Sequence, residues 1–61
     1  MWIARDKDGS LWLYETKPCL NSNGDDFVQT SDGDSMQLRD DMFSQVTFEN
    51  SPKEVEISVK I

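Results

Sequence analysis

The sequence predicts an all-β fold, either a small SH3-like barrel or a strongly twisted antiparallel sheet of about five strands with one short helical turn. Apolar and polar residues alternate without a break over residues 54–61, as in a strand with one buried face. Two Asp-Gly pairs, at residues 8–9 and 32–33, are turn signals between β-rich runs. No window sustains a helical period over three turns. With 61 residues, the chain is expected to form a single small β domain over residues 1–61.

The first predicted element is a β-hairpin formed by residues 1–6 and 10–17. Its three-residue loop, residues 7–9, places Gly9 at the positive φ that a tight hairpin requires. This loop pairs residues whose numbers sum to 16, and side chains alternate between the two faces of a strand. One face then carries Met1, Ile3, Leu11 and Leu13, and the other carries Trp2, Ala4, Trp12 and Tyr14. Both faces are apolar, which exceeds what a small two-sided sheet normally shows.

The middle of the chain is predicted to hold a second hairpin. Residues 19–26 have the composition of a loop. Residues 27–30 and 35–38 then form short strands around a turn at residues 31–34, with two registers open.

One helical turn is predicted over residues 39–43. Asp40 or Asp41 is expected to cap its N-terminal amides, while Met42 and Phe43 point inward.

The last predicted strand covers residues 46–61 and is bent or broken near Pro52. Its first part places Val46 and Phe48 on the same side. Its second part points four aliphatic residues inward, Val55, Ile57, Val59 and Ile61.

Charge and missing residue types exclude several function classes. The net charge is −6, from 12 acidic and 6 basic residues, and the basic residues form no cluster, so direct nucleic-acid binding is not expected. No apolar run is long enough to span a membrane, and no signal peptide is expected, which indicates a cytoplasmic protein. The chain has no histidine and one cysteine, Cys19, so we expect no enzyme activity, no disulfide, no metal site and no cofactor.

The residues that could carry a function are the aromatic ones of the first hairpin, Trp2, Trp12 and Tyr14. They are either ordinary core or a protein-binding face, because tryptophan and tyrosine dominate interface energetics. The favoured function is a small protein-interaction module that uses this face or an edge strand, with another protein or a second copy of the chain (a homodimer) as partner. One alternative is an acidic inhibitor that occupies a basic, nucleic-acid-like site on a partner protein. A weaker one is a part of a larger assembly with no activity alone.

Six segments carry a family resemblance: Ala4–Tyr14, Lys17-Pro18, Met42-Phe43, Val46–Glu49, Pro52 and Glu54–Glu56. In these segments the chain resembles short uncharacterised proteins of gut Bacteroides-type bacteria and their phage-like elements. The resemblance spans most of the chain and implies a cytoplasmic protein associated with mobile elements. It supplies no catalytic or ligand-binding residues.

Overall fold

The computed structural model describes residues 1–30 and 32–56, and within them all regular secondary structure is β. Six short strands follow one another along the chain: β1 (Trp2–Arg5), β2 (Leu11–Tyr14), β3 (Cys19–Leu20), β4 (Phe27–Val28), β5 (Ser35–Leu38) and β6 (Lys53–Glu54). They form an antiparallel four-stranded sheet in the order β5-β2-β1-β6 and a two-stranded sheet of β3 and β4. The all-β prediction is confirmed. Closure into an SH3-like barrel stays a prediction, because β5 and β6 are the outer strands of the sheet in the described ranges.

The first hairpin has the predicted register. β1 and β2 pair so that the residue numbers sum to 16, from Trp2 opposite Tyr14 to Arg5 opposite Leu11. Gly9 has a φ of 98° and donates its N–H to the Asp6 carbonyl at 2.9 Å, which closes the turn. The observed register is therefore the one that the local sequence predicts.

The apolar residues form two clusters, one on each face of the β1–β2 hairpin. The first contains buried Ile3, Leu11 and Val46, with Leu13, Leu38 and Val55 packed against them. The second contains buried Ala4, Tyr14 and Phe27, with Trp2, Trp12 and Phe48 packed against them. Both faces of the hairpin are thus covered by other parts of the chain, which explains why both are apolar in the sequence.

The predicted second hairpin is wrong. β4 pairs with β3, and β5 pairs with β2, so that residues 27–30 and 35–38 do not face each other. Consequently, residues 19–26 are not all loop, since Cys19–Leu20 forms β3. The reason is burial: β5 against β2 sets Leu38 opposite Leu11 at the first cluster, and the β3–β4 pair holds Phe27 in the second.

The predicted helical turn at residues 39–43 does not form, since none of these residues is helical. The segment instead contains an isolated turn, closed by the Met42 N–H donating to the Arg39 carbonyl at 3.1 Å. Asp41 does not cap the backbone; its carboxylate pairs with the Arg39 guanidinium at 2.6 Å. Met42 and Phe43, expected inside, are each 38% exposed.

The prediction of a strand at residues 46–49 is also wrong. Val46 packs in the first cluster and Phe48 in the second, so the two side chains do not share a side. Reciprocal bonds between Thr47 and Asn50, of 2.8 and 3.2 Å, form a turn instead. A cis peptide bond precedes Pro52.

Of the predicted last strand, the described residues show only the short strand β6 as regular structure. β6 pairs with β1, and the Val55 N–H donates to the Met1 carbonyl at 2.8 Å just beyond it. Val55 packs against the first cluster, as predicted. The predicted strand residues 57–61 lie outside the described residues.

Candidate interaction site on the aromatic face

The three residues singled out from the sequence, Trp2, Trp12 and Tyr14, lie on one face of β1 and β2, which we call the aromatic face. Tyr14 is only 5% exposed, and its hydroxyl donates to the Phe27 carbonyl at 3.2 Å. Trp2 and Trp12 are half-buried. Tyr14 therefore belongs to the core, while the two tryptophans retain surface that a partner can reach.

Trp2 is contacted by a cation of its own chain. The Lys17 Nζ lies 5.3 Å from the centroid of the Trp2 ring, within the range of a cation–π interaction. The ring surface that Lys17 covers is not free for a partner. Of the three predicted residues, Trp12 is consequently the one best placed for intermolecular contact.

Trp12 lines a surface cavity of about 360 Å³ together with Tyr14 and Phe27, which we call the aromatic cavity. The remaining lining residues are polar or aliphatic: Asp6, Asn21, Asp26, Val28, Gln29 and Ser35. Phe27 reaches the cavity because β4 folds back onto the hairpin, and its ring packs edge-on against Phe48 with centroids 6.0 Å apart.

Asp6 is the most buried acidic group at this site, with 9% of its surface exposed. Its Oδ1 accepts the Phe27 N–H at 2.8 Å, which ties the hairpin to β4. Burial raises the pKa of the Asp6 carboxyl, and the negative charges of Asp26, Asp8 and Asp25 raise it further against the opposing effect of that hydrogen bond. The folded protein therefore stabilises the ionised form of Asp6 less than water does.

The phenol of Tyr14 shares this environment. Burial raises the pKa of Tyr14 to about 12, and the charges of Asp6 and Asp26 act in the same direction. The phenol therefore stays neutral at physiological pH and donates its hydrogen bond.

Four carboxylates gather beside the aromatic cavity in what we call the acidic end: Asp6, Asp8, Asp25 and Asp26. The Lys7 N–H donates to the Asp25 carbonyl at 3.0 Å, which joins the first turn to the loop at residues 21–26. Hydrogen bonds from Ser10 lower the pKa of Asp8, which is fully exposed. Within the part of the chain that the structure describes, no three potential ligand side chains come together in a way that could hold a metal ion.

Sequence reasoning identified Trp12 and Tyr14 but missed Asp6 and Phe27. A signal for Asp6 existed, since the register that sums to 16 sets even-numbered residues of the first strand on the Trp12 face. Nothing local pointed to Phe27, because its position depends on the pairing of β3 with β4.

The opposite face of the sheet also carries an exposed apolar patch. Met36 is 57% exposed and Met1 is 43% exposed, and with Leu13 they line a cavity of about 150 Å³. Methionine and leucine there make an apolar surface without aromatic groups.

Comparisons with protein-family models, with curated proteins and with solved structures find no match to this chain. The resemblance described above therefore stays a prediction. No helix in residues 1–30 and 32–56 has the length and apolar character needed to cross a bilayer.

Proposed function

We propose that this chain is a small, non-enzymatic protein-interaction module that binds a partner protein through the aromatic face. The observation that carries the proposal is the position of Trp12, which is half-buried and lines an open cavity with Tyr14 and Phe27. Large aromatic side chains in partly formed pockets are the residues that dominate protein–protein binding energy. A cavity of this size accepts one side chain of a partner.

The outer edge of β5 lies beside the cavity and supports the same function. Ser35 belongs both to β5 and to the cavity wall, and Ser35, Met36 and Gln37 are exposed. A partner strand that pairs with this edge would lie beyond β5, one strand further out than Trp12 of β2, and would extend the sheet that carries the aromatic face. Such a partner is another protein or, in a homodimer, a second copy of this chain.

A second candidate function is an acidic inhibitor that occupies a basic, nucleic-acid-like site on a partner. It is favoured by the four carboxylates of the acidic end and by the net charge of −6. In that case binding rests on long-range attraction, which salt weakens. In neither case do we propose contact with nucleic acid or membrane. The free thiol of Cys19 fits the cytoplasmic location that we propose.

The test compares tagged wild type with Trp12→Ala and with Phe43→Ala, in pull-downs from the native host. Phe43→Ala is the matched control, because it removes an exposed aromatic ring away from the aromatic cavity. We expect wild type and Phe43→Ala to retain a partner that Trp12→Ala loses. Wild type and Phe43→Ala should still retain this partner when the salt concentration rises from about 0.05 to about 0.5 M.

Three outcomes discriminate the proposals. Retention of the partner by all three proteins at about 0.05 M salt, followed by its loss from all three at about 0.5 M, supports the acidic inhibitor. Equal retention by folded Trp12→Ala contradicts binding through the aromatic face. Sedimentation of the purified proteins shows whether the partner is a second copy, since a homodimer dissociates on dilution and is weakened by Trp12→Ala.

A further inference from the structure

We infer that the aromatic cavity receives a lysine side chain of the partner, with the ammonium group bound by Asp6 and Asp26 and the apolar stem lying beside Trp12. This inference rests on the proposed function and adds to it the chemistry of the group that is recognised. Three observations carry it: the lining of the cavity, the hydrogen bonding of Asp6 and the distribution of charge around it.

The lining combines aromatic rings with carboxylates, which together favour an organic cation. Trp12, Tyr14 and Phe27 contribute rings, and Asp6 and Asp26 contribute negative charge. A cation gains from ring faces as well as from a carboxylate, and the four methylenes of lysine cover apolar surface. An anionic or purely apolar group would leave the two carboxylates without a counter-charge.

The hydrogen bonding of Asp6 leaves one oxygen for a ligand. Oδ1 accepts the Phe27 N–H, whereas Oδ2 accepts no hydrogen bond from the described part of the chain. Asp6 is only 9% exposed and lines the cavity, so this second oxygen is available to a donor that enters the cavity. Because Oδ1 is occupied, a single-point donor such as ammonium suits the site better than the two-point fork of arginine.

The charge around the cavity points the same way. Asp8 and Asp25 add their charges to those of Asp6 and Asp26, and Lys7 is the one basic residue among those that line the neighbouring cavity of about 340 Å³. The resulting negative potential attracts a cationic side chain and raises its encounter rate.

The experiment is a titration followed by NMR with Nα-acetyl-lysine methylamide as the probe. The chain has two tryptophans, so the indole N–H signals of Trp12 and Trp2 report on the cavity and on an internal control. The norleucine analogue has the same stem length without the charge, and the arginine analogue tests the choice of cation. We expect saturable shifts at Trp12 and binding of the norleucine analogue at least about fivefold weaker.

Variants assign the effect to the carboxylates. Asp6→Asn keeps an oxygen for the Phe27 N–H and removes the charge, and we expect it to weaken lysine binding about five- to tenfold. Asp26→Asn is the second variant and alters an exposed residue, so it remains informative if Asp6→Asn fails to fold. Glu49→Gln removes the same charge outside the cavity and should change the affinity less than about twofold.

Several results would overturn the inference: equal binding of the norleucine analogue, tighter binding of the arginine analogue, shifts confined to Trp2, or unchanged affinity in both aspartate variants. The pull-down separates these failures from failure of the proposed function. If a partner is lost by Trp12→Ala but retained by Asp6→Asn and Asp26→Asn, the result supports the interaction module and contradicts the recognition of a lysine side chain.

Discussion

Arg5 holds the irregular part of the chain onto the hairpin, and replacing it should cost a large share of the stability. Its guanidinium donates to five backbone carbonyls: Val46 at 2.6 Å, Gly9 at 2.7 Å, Met42 at 2.9 Å, Asp40 at 3.0 Å and Phe43 at 3.3 Å. The Gly9 carbonyl belongs to the first turn, and the other four belong to the segment between β5 and β6. That segment, residues 39–52, contains no helix or strand. The side chain thus takes the place of a backbone ladder for that segment.

The magnitude follows from the two bonds that are partly buried, those to Val46 and Gly9. A hydrogen bond to a charged group contributes about 1.5–3 kcal/mol, and because these two bonds are only partly buried the lower part of that range applies. Arg5→Met should therefore lose about 3–4 kcal/mol of unfolding free energy. A domain of 61 residues has a total of about 3–9 kcal/mol at the usual value per residue. Arg5→Met is therefore expected to unfold close to physiological conditions.

Urea unfolding followed by tryptophan fluorescence measures this loss, with Arg39→Met as the matched control. The Arg39 side chain is 79% exposed and pairs with Asp41 at the surface, so its replacement should change stability by less than about 0.5 kcal/mol. Arg5→Lys should recover part of the loss, because an ammonium group reaches fewer carbonyls. If Arg5→Met and Arg39→Met unfold at the same urea concentration, Arg5 does not have the role assigned to it.

Three further predictions concern the aromatic face. The tyrosinate absorbance of the folded protein should report a pKa of about 12 for Tyr14, the only tyrosine. The neutral phenol then contributes up to about 2–3 kcal/mol of stability below pH 10, and this contribution is lost as the pH rises through 12. A titration of Tyr14 at the ordinary value of 10.0 would contradict this prediction. Because the pKa of Asp6 is raised, the contribution of Asp6 to stability is fully present below its ordinary pKa of 3.8 and is lost as the pH rises through the raised pKa of the folded protein. Asp6→Asn should therefore melt higher than wild type at neutral pH, and the difference should vanish in acid. A lower melting temperature of Asp6→Asn at neutral pH would contradict this sign. Trp12→Ala should cost about 1–3 kcal/mol and still melt cooperatively, since the ring is only half-buried; a variant unfolded at room temperature would show that Trp12 is core.

The accuracy of the sequence predictions depended on how far apart the interacting residues are. The first hairpin was predicted with its register because its two strands are joined by three residues around Gly9, and the alternation of side chains follows from that pairing. The strands at residues 27–30 and 35–38 were located approximately, but their partners were wrong, because an Asp-Gly turn signal between two strands does not require that they pair.

The candidate site shows the same division. Trp12 and Tyr14 were found from alternation alone, and their shared face was correct. The cavity beside them depends on Phe27, which β3 and β4 bring over the hairpin from a separate sheet. The anchoring role of Arg5 was equally invisible, since its acceptors are backbone carbonyls that carry no sequence signal.

Period-two alternation and a glycine turn act over a few residues, and they were enough to predict the all-β class, the first hairpin and the two apolar faces of β1 and β2. Tertiary structure alone decided which segment covers each face. Leu38 and Val46 cover one, and Phe27 and Phe48 cover the other. Alternation states which side chains point the same way but not which distant strand they meet, and that choice is made by the burial of both faces at once.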